Sequence, residues 1–482
     1  MVNAMTVFDD IRAATQPGYE PSVAIILDRF ATFLGPDAYA GAKTEDFFDR
    51  TFVRLSEPGF NPDLRLQLVA DCSSLSWWCR ANLGAKGLGP LHGLVRQTLH
   101  ETFREASLRM EQAYPSTLTA HAVFVGRLLG PLHSPTRGSF DYVRALACDP
   151  DNRWVVVYHA GDLTPELQAY SRARLGDAAA KVRFVSTEVN SGFLSDLLND
   201  GACTFHFWCE NAYAIQISVA ALVGPTIMFT CAEVAPVQFA DVYWYVQDQG
   251  HIRELWKQQG APDAYARNYC AVESYSYNPP TPLRRRVRAE LGWSNDDQVI
   301  ATVGNRLSVN MDPSFIESVT GFVLSHPKAR WVVVGSLPQA LLSELRQTLG
   351  SRFTHVPYDT DLMSLLELCD IFASPFREGG GAAAVMGIHA GAVLLVRSDI
   401  EMSAYVPPAH RPVGVEGYVA ALDTLSDPTV RKIWLAEQQA LQAQMQDDDK
   451  FASELKRLTA LAFERFAQRI EMSPEQLFGS MI

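Results

Sequence analysis

The residues best placed to do chemistry gather in one short stretch, Glu378, Gly379, Gly380 and Gly381. Residues 374–377 separate it from the apolar run 371–373. It leads into an alanine-rich segment closed by Gly391 and a second apolar run over 392–396. The pattern reads as strand, glycine loop, short helix, strand. A glycine loop entering a helix leaves backbone N–H groups unpaired, and the helix dipole adds positive potential there. Such a turn suits a phosphate or diphosphate. Glu378 would stand at the carboxyl end of the strand, where open α/β sheets bind ligands. The competing reading is a turn that only lets a helix lie close to a sheet.

Four further sets carry reactive groups. The loop from Gly304 to Glu317 holds one cation, Arg306, and the polar Asn310. His355 and Tyr358 lie at a strand end in Thr354-His-Val-Pro-Tyr358. The loop 131–138 contains His133 and Arg137. Histidine titrates near neutrality, so His133 suits a general base for an acceptor or a donor to a sugar. Arg137 suits a phosphate or an acidic acceptor. Last, His206-Phe-Trp-Cys-Glu210 closes an apolar strand. His206 and Glu210 would then face a ligand, and Trp208 would stack on a sugar ring; partial core packing is the alternative.

The elements that must position these groups follow from hydrophobic period. Residues 1–117 read as helical, with amphipathic runs over 23–34, 64–78 and 91–110 separated by Gly/Pro pairs. From residue 118 the pattern becomes short apolar strands alternating with helices: 122–126, 154–158, 182–185, 204–207, 226–229 and 242–246. Tyr277-Asn-Pro-Pro-Thr-Pro282 interrupts it, since prolines cannot sit inside a helix or a central strand. The alternation restarts with strands at 299–303, 331–334, 353–356, 371–373 and 393–396, and a helical tail runs over 428–466. Three domains are expected: helical 1–117, α/β 118–280, and α/β 281–482 including the tail. Apolar strands between helices argue for parallel sheets.

Composition narrows the function. The chain has 482 residues and a formal net charge of −13, which argues against a nucleic-acid partner. Its one dense basic cluster is Arg284–Arg286 with Arg288. The eight cysteines include no C-x-x-C pair, so no zinc or redox motif is expected. The opening residues lack a basic segment followed by an apolar core, and no apolar run reaches ~18 residues, so a cytoplasmic protein without a transmembrane segment is expected. No Walker loop, Gly-x-Ser-x-Gly elbow or His-Glu-x-x-His is present, and no DxD-type metal pair is read between strands.

The segment 295–405 resembles the nucleotide-binding half of GT-B glycosyltransferases, on Thr354-His-Val-Pro-Tyr358, Asp312-Pro-Ser-Phe-Ile-Glu317, Leu368-Cys-Asp-Ile-Phe-Ala-Ser-Pro-Phe376 and Glu378-Gly-Gly-Gly381. Within that fold it is similar to the bacterial cytoplasmic N-glycosyltransferases related to O-GlcNAc transferase; residues 118–250 share the layout. The resemblance implies two facing Rossmann-like domains with the active site in their cleft. It implies a nucleotide-diphosphate sugar as donor, UDP favoured and dTDP or GDP possible, without cofactor or metal. Arg306, Asn310, His355, Tyr358, Glu378 and Gly379–Gly381 would bind the donor, and His133, Arg306 and Glu378 would serve catalysis. Arg137, His206, Trp208 and Glu210 would meet the sugar or acceptor, a protein side chain or a glycan. Two positions depart from the pattern: Asn310 replaces an expected lysine, and Met386 replaces an expected ribose-holding acid. These departures keep open a non-catalytic partner subunit. An epimerase on the same fold would need His133, His206 and Glu210 together. Retention or inversion stays open.

Overall fold

The computed structural model describes residues 6–79, 120–186, 204–208, 220–275 and 279–470, apart from 16–19, 41, 58, 129, 131–132, 222–223, 231–235, 237–238, 247–248, 259–260, 262, 305–306, 308–310 and 377–379. The chain forms two compact units, Met1–Glu273 with Asp448–Ile482, and Ser274–Asp447.

In the first unit, helices α1 (Thr6–Ala13), α2 (Glu20–Leu34), α3 (Phe47–Leu55) and α4 (Pro62–Trp78) come first. Helix α2 buries Val23, Ile26, Leu27, Phe30 and Leu34, a stripe at helical spacing. Helix α4 starts on Asn61, whose side chain accepts the Leu64 N–H at 2.9 Å, with proline in the first turn, where it loses no helical bond. Arg29 ties α2 to Asp71 of α4 at 2.9 Å. The expected helix over 91–110 lies outside the described residues.

Seven parallel strands follow: β1 (Ala120–Arg127), β2 (Trp154–Ala160), β3 (Val182–Ser186), β4 (Thr204–Phe207), β5 (Thr226–Phe229), β6 (Val242–Tyr245) and β7 (Tyr269–Ala271), in the order β3-β2-β1-β4-β5-β6-β7. Strand β7, three residues long, is not among the strands expected from the sequence. Helices α5 (Ser134–Cys148), α6 (Pro165–Leu175), α7 (Gln249–Gln258) and α8 (Asp263–Asn268) connect strands. Because strand side chains alternate, the sheet has two unlike faces. One carries Ala122, Phe124, Tyr158, Phe205 and Phe207 and shares a single apolar core with α1–α4. Register places Phe124 opposite Tyr158 and Phe207, and the rings stack at 4.9 and 4.7 Å. The other face carries His121, His206 and, just past β4, Trp208.

The second unit holds β8 (Gln298–Val303), β9 (Ala329–Val334), β10 (Phe353–Val356), β11 (Ile371–Ala373) and β12 (Val393–Leu395), all parallel, in the order β10-β9-β8-β11-β12. Its helices are α9 (Pro313–Ser325), α10 (Gln339–Leu349), α11 (Leu362–Leu366), α12 (Gly381–Ala390), α13 (Gly414–Thr424) and α14 (Pro428–Met445). Alternation again sorts the layers. Val299, Ala301, Val303, Phe372 and Leu394 pack with α11 and α12. Ile300, Trp331, Val333, Ile371 and Val393 pack with α9, α10 and α13. The open edge at β12 is closed by one side chain: Gln438 of α14 accepts from the Leu394 N–H and donates to its carbonyl, both at 2.9 Å. Three of the four arginines of the basic cluster form ion pairs: Arg284 with Glu290, Arg286 with Asp359 and Arg288 with Asp370.

The sequence keeps the whole helical tail with the second α/β domain; the structure divides it. Helix α14 stays with the second unit, and α15 (Asp448–Ile470) packs on the first. The reason is the buried face of α15, made of Phe451, Leu455, Leu458, Ala462 and Phe466, and its arginines. Arg469 forms a two-pronged pair with Asp241 at 2.9 Å on each side, and Arg465 donates to the Asp241 carbonyl at 2.8 Å. The units also divide at Glu273/Ser274, ahead of the proline cluster at 279–282.

Asp241 is fully buried and Arg469 is 4% exposed. Arg469→Met strands a buried carboxylate and should lower stability by about 3–5 kcal/mol. Adding Asp241→Asn should recover a large part of that loss. Chemical denaturation of the single and double variants checks both; an additive double variant would refute the coupling.

Candidate functional site

In the second unit the candidate groups stand at the carboxyl ends of the strands. Gly304, just past β8, donates its N–H to Val334 at 3.0 Å, and Gly335, just past β9, donates to Val356 at 2.9 Å. Gly335 has φ +134°, and a Cβ there would lie 1.9 Å from the Gly304 carbonyl oxygen, so only glycine fits between these strand ends. The Gly335 carbonyl faces the other way and receives His355 Nε2 at 2.8 Å. A carbonyl can only accept, so the proton sits on Nε2, and Nδ1 is left as an acceptor with no partner among the described residues. Tyr358, two residues past β10, is 63% exposed. Its loop is held from below: Asp359 pairs with Arg286, and Asp361 accepts the Leu283 and Arg284 N–H groups at 3.0 and 3.1 Å. The sequence reading missed both aspartates, although an Asp-x-Asp directly after Tyr358 was visible.

Two helices start at this edge, and they differ. Helix α9 is capped by its own side chain: Asp312 accepts the Ser314 N–H at 2.8 Å. The Ser314 hydroxyl, and after it that N–H contact, hold the Asp312 carboxyl below the usual carboxylate range. Helix α12 starts on Gly380, in the left-handed region at φ +92°, with no side-chain cap. A Cβ on Gly381 would come within 3.0 Å of the Tyr405 ring, so the ring lies directly against the first turn. Tyr405 was also missed; it is distant in sequence and nothing in its neighbourhood marks it. Met386 is 5% exposed and belongs to the apolar core beneath α12. Arg306, Asn310, Glu378 and Gly379 lie outside the described residues. A surface groove of ≈ 390 Å³ runs along α9 and α13 and holds none of the expected site residues.

In the first unit, His133 is the residue before α5, so 134–138 of the expected loop are helix. The prolines and Gly138 suggested a loop over 131–138, but Pro135 falls in the first helical turn, where proline is tolerated. The half-buried ring pairs through Nδ1 with Thr136 Oγ1 at 2.8 Å. Burial, and after it the positive charge of Arg137, hold His133 below the ordinary histidine range. Arg137 is buried beside it, near the Arg174–Asp141 pair at 2.6 Å.

His206 and Trp208 take other roles than ligand contact. His206 is buried with both ring nitrogens engaged, Nδ1 with the Tyr142 hydroxyl at 2.6 Å and Nε2 with His121 Nδ1 at 2.9 Å. Burial, then the neighbouring His121, keep it far below the ordinary range, so it is neutral at pH 7. Trp208 stacks on Phe229 at 4.2 Å and 7°, and its indole N–H donates to the Pro135 carbonyl at 3.1 Å. Glu210 lies outside the described residues. Among the described residues no group of three or more His, Cys, Asp or Glu could hold a metal ion, and no helix is long and apolar enough to cross a membrane.

No family model and no curated protein matches the sequence. Solved structures do match. A point mutant of Thermobaculum terrenum O-GlcNAc transferase aligns over 97% of this chain and 99% of its own, at 14% identity and a TM-score of 0.56. Anabaena HepE, solved with UDP and glucose, aligns over 70% of this chain and 99% of its own, at 12% identity and a TM-score of 0.52. Two parallel sheets flanked by helices, with the first match running almost end to end in both chains, place this protein in the GT-B glycosyltransferase fold.

Proposed function

We propose that the protein transfers a sugar from a nucleotide-diphosphate sugar, with a UDP-sugar as donor, to a protein side chain. One observation carries the reading: at the ligand edge of the second sheet, α9 spends its N-terminal amides on Asp312, while α12 starts on glycine without a side-chain cap. An anion is the partner such a start favours, and the Gly380–Gly381 turn would take the diphosphate. His355 Nδ1 would accept from the donor, and Tyr358 would border the nucleoside. The UDP and glucose bound in the HepE structure support this donor class. The near end-to-end likeness to an O-GlcNAc transferase, opening helices included, supports a protein acceptor.

The chemistry is displacement at the anomeric carbon. The acceptor's nucleophile forms the new bond as the sugar–phosphate bond breaks, the electron pair leaves on the diphosphate, and His133 takes the acceptor proton. Arg306 would stabilise the departing charge, with Glu378 placed against the sugar or leaving group. The engaged nitrogens of His206 disfavour an epimerase, which would need that histidine in contact with substrate.

UDP release from UDP-N-acetylglucosamine and UDP-glucose tests the reading directly, alongside thermal shift with UDP. Binding with slow release in the absence of acceptor is expected. Arg306→Ala should cost roughly 2–4 kcal/mol in transition-state stabilisation. UDP binding without turnover towards any acceptor would select the non-catalytic partner subunit, and no UDP binding would overturn the donor assignment.

The His133 environment sets a pH dependence. A base acts in its neutral form, and burial with Arg137 lowers the folded pKa. The neutral form therefore persists to lower pH than in an exposed histidine, and the acid limb of kcat/KM should lie below about 6.5. His133→Ala should lower turnover by roughly 10²–10⁴ and abolish that limb. An unchanged limb in the variant would assign it to another group.

A further inference from the structure

The sequence offered Trp208 as a sugar-stacking residue; its contacts give it a different task. We infer that Trp208 is a positioning residue for His133. This rests on His133 acting as the base.

The ring belongs to two elements at once. Its backbone N–H donates to the Phe124 carbonyl at 2.8 Å, carrying β4 on beside β1. Its indole N–H reaches across to the Pro135 carbonyl at 3.1 Å, in the first turn of α5. That turn starts at His133, whose carbonyl accepts the Arg137 N–H at 3.1 Å and whose Nδ1 meets Thr136. The ring cannot tilt freely. Phe229 lies parallel to it at 4.2 Å, and Tyr142 closes in at 5.3 Å. A rigid, buried ring thus clamps the turn bearing His133 to the sheet. A second tether, Tyr142 to His206, holds the same helix further along. With the helix middle fixed independently, the Trp208 bond governs the placement of its first turn. A general base depends on placement: an error near 1 Å can cost about 10²-fold.

Trp208→Phe keeps an aromatic ring against Phe229 and removes the donor. With UDP-N-acetylglucosamine and the acceptor found active, kcat should fall roughly 10- to 100-fold, while the KM for the UDP-sugar stays within about twofold, the split expected when only the reacting geometry is disturbed. The His133 ring signal, assigned by its loss in His133→Asn, should titrate closer to an ordinary histidine as the loosened turn admits water. Phe229→Leu leaves the indole N–H in place but frees the ring, and should give a smaller loss confined to kcat; it decides the matter if Trp208→Phe does not fold. Wild-type kcat and an unmoved His133 titration in a folded Trp208→Phe, with His133→Ala inactive, would overturn the positioning role and leave the base assignment standing. Full turnover in His133→Ala would overturn both.

Discussion

Among the described residues each sheet consists of parallel strands only, and that constraint places everything else. A parallel strand must be left and re-entered through a crossover, so every strand-to-helix turn in a sheet emerges at the same edge. In the first unit this brings the end of β1, the end of β4 and the start of α5 to one rim, where Trp208 reaches the Pro135 carbonyl beside His133. In the second it brings Gly304, Gly335, His355 and Gly380 to the other sheet's rim. The glycines show how tight that rim is. Gly335 passes so close to the Gly304 carbonyl that a methyl group cannot be placed, and the same close passage turns the Gly335 carbonyl to His355. The histidine tautomer is therefore set by backbone geometry two strands away.

Parallel strands are buried on both faces, so polar groups among them must satisfy one another. The first unit does this twice. His121, His206 and Tyr142 form a chain in which burial keeps both imidazoles neutral and the phenol protonated. A neutral chain avoids the large desolvation cost of a buried charge. The Asp241–Arg469 pair takes the opposite course and keeps both charges. Asp241 also accepts the Thr226 N–H and hydroxyl at 2.9 and 3.0 Å, so both its oxygens are paired. Both devices hold a helix, the first α5 and the second α15, and α15 in turn presses Phe451 towards Tyr142 and Trp244 at 6.3 and 5.8 Å. Helix α5 is thus fixed along much of its length by groups that never meet a ligand.

The fold was legible because its signals are local. The strands at 204–207, 226–229, 353–356 and 371–373 and helix Pro313–Ser325 fall where apolar runs and the Asp312-Pro start place them. Short apolar runs punctuated by glycine and proline need no distant information. What failed was equally physical. Strand β7, Tyr269–Ala271, was not among the expected strands, and the stretch 131–138 reads as a loop because proline in a first helical turn, as at Pro135, and proline in a loop are the same letter. The allegiance of α15 is decided by Asp241, more than two hundred residues earlier, and no local pattern announces it.

The candidate site divides along the same line. Gly380, Gly381 and His355 stand at the helix start and strand end where the sequence puts them, because those positions follow from the backbone beside them: a glycine start leaves a helix without a side-chain cap, and the histidine at the strand end meets the next strand's carbonyl. His206 and Trp208 were misread because residue type at a strand end cannot tell ligand contact from scaffold. The deciding partners lie far away, Tyr142 at 64 residues and Pro135 at 73. One helix supplies both. Once α5 is seen to begin at Ser134, its first turn falls at the level of Trp208 and its middle at the level of His206, and the two side chains have donors and acceptors to meet before any ligand arrives. A strand-end aromatic whose polar atom already has a backbone partner is therefore a support for the neighbouring turn, and the functional reading passes to the residue that this turn presents.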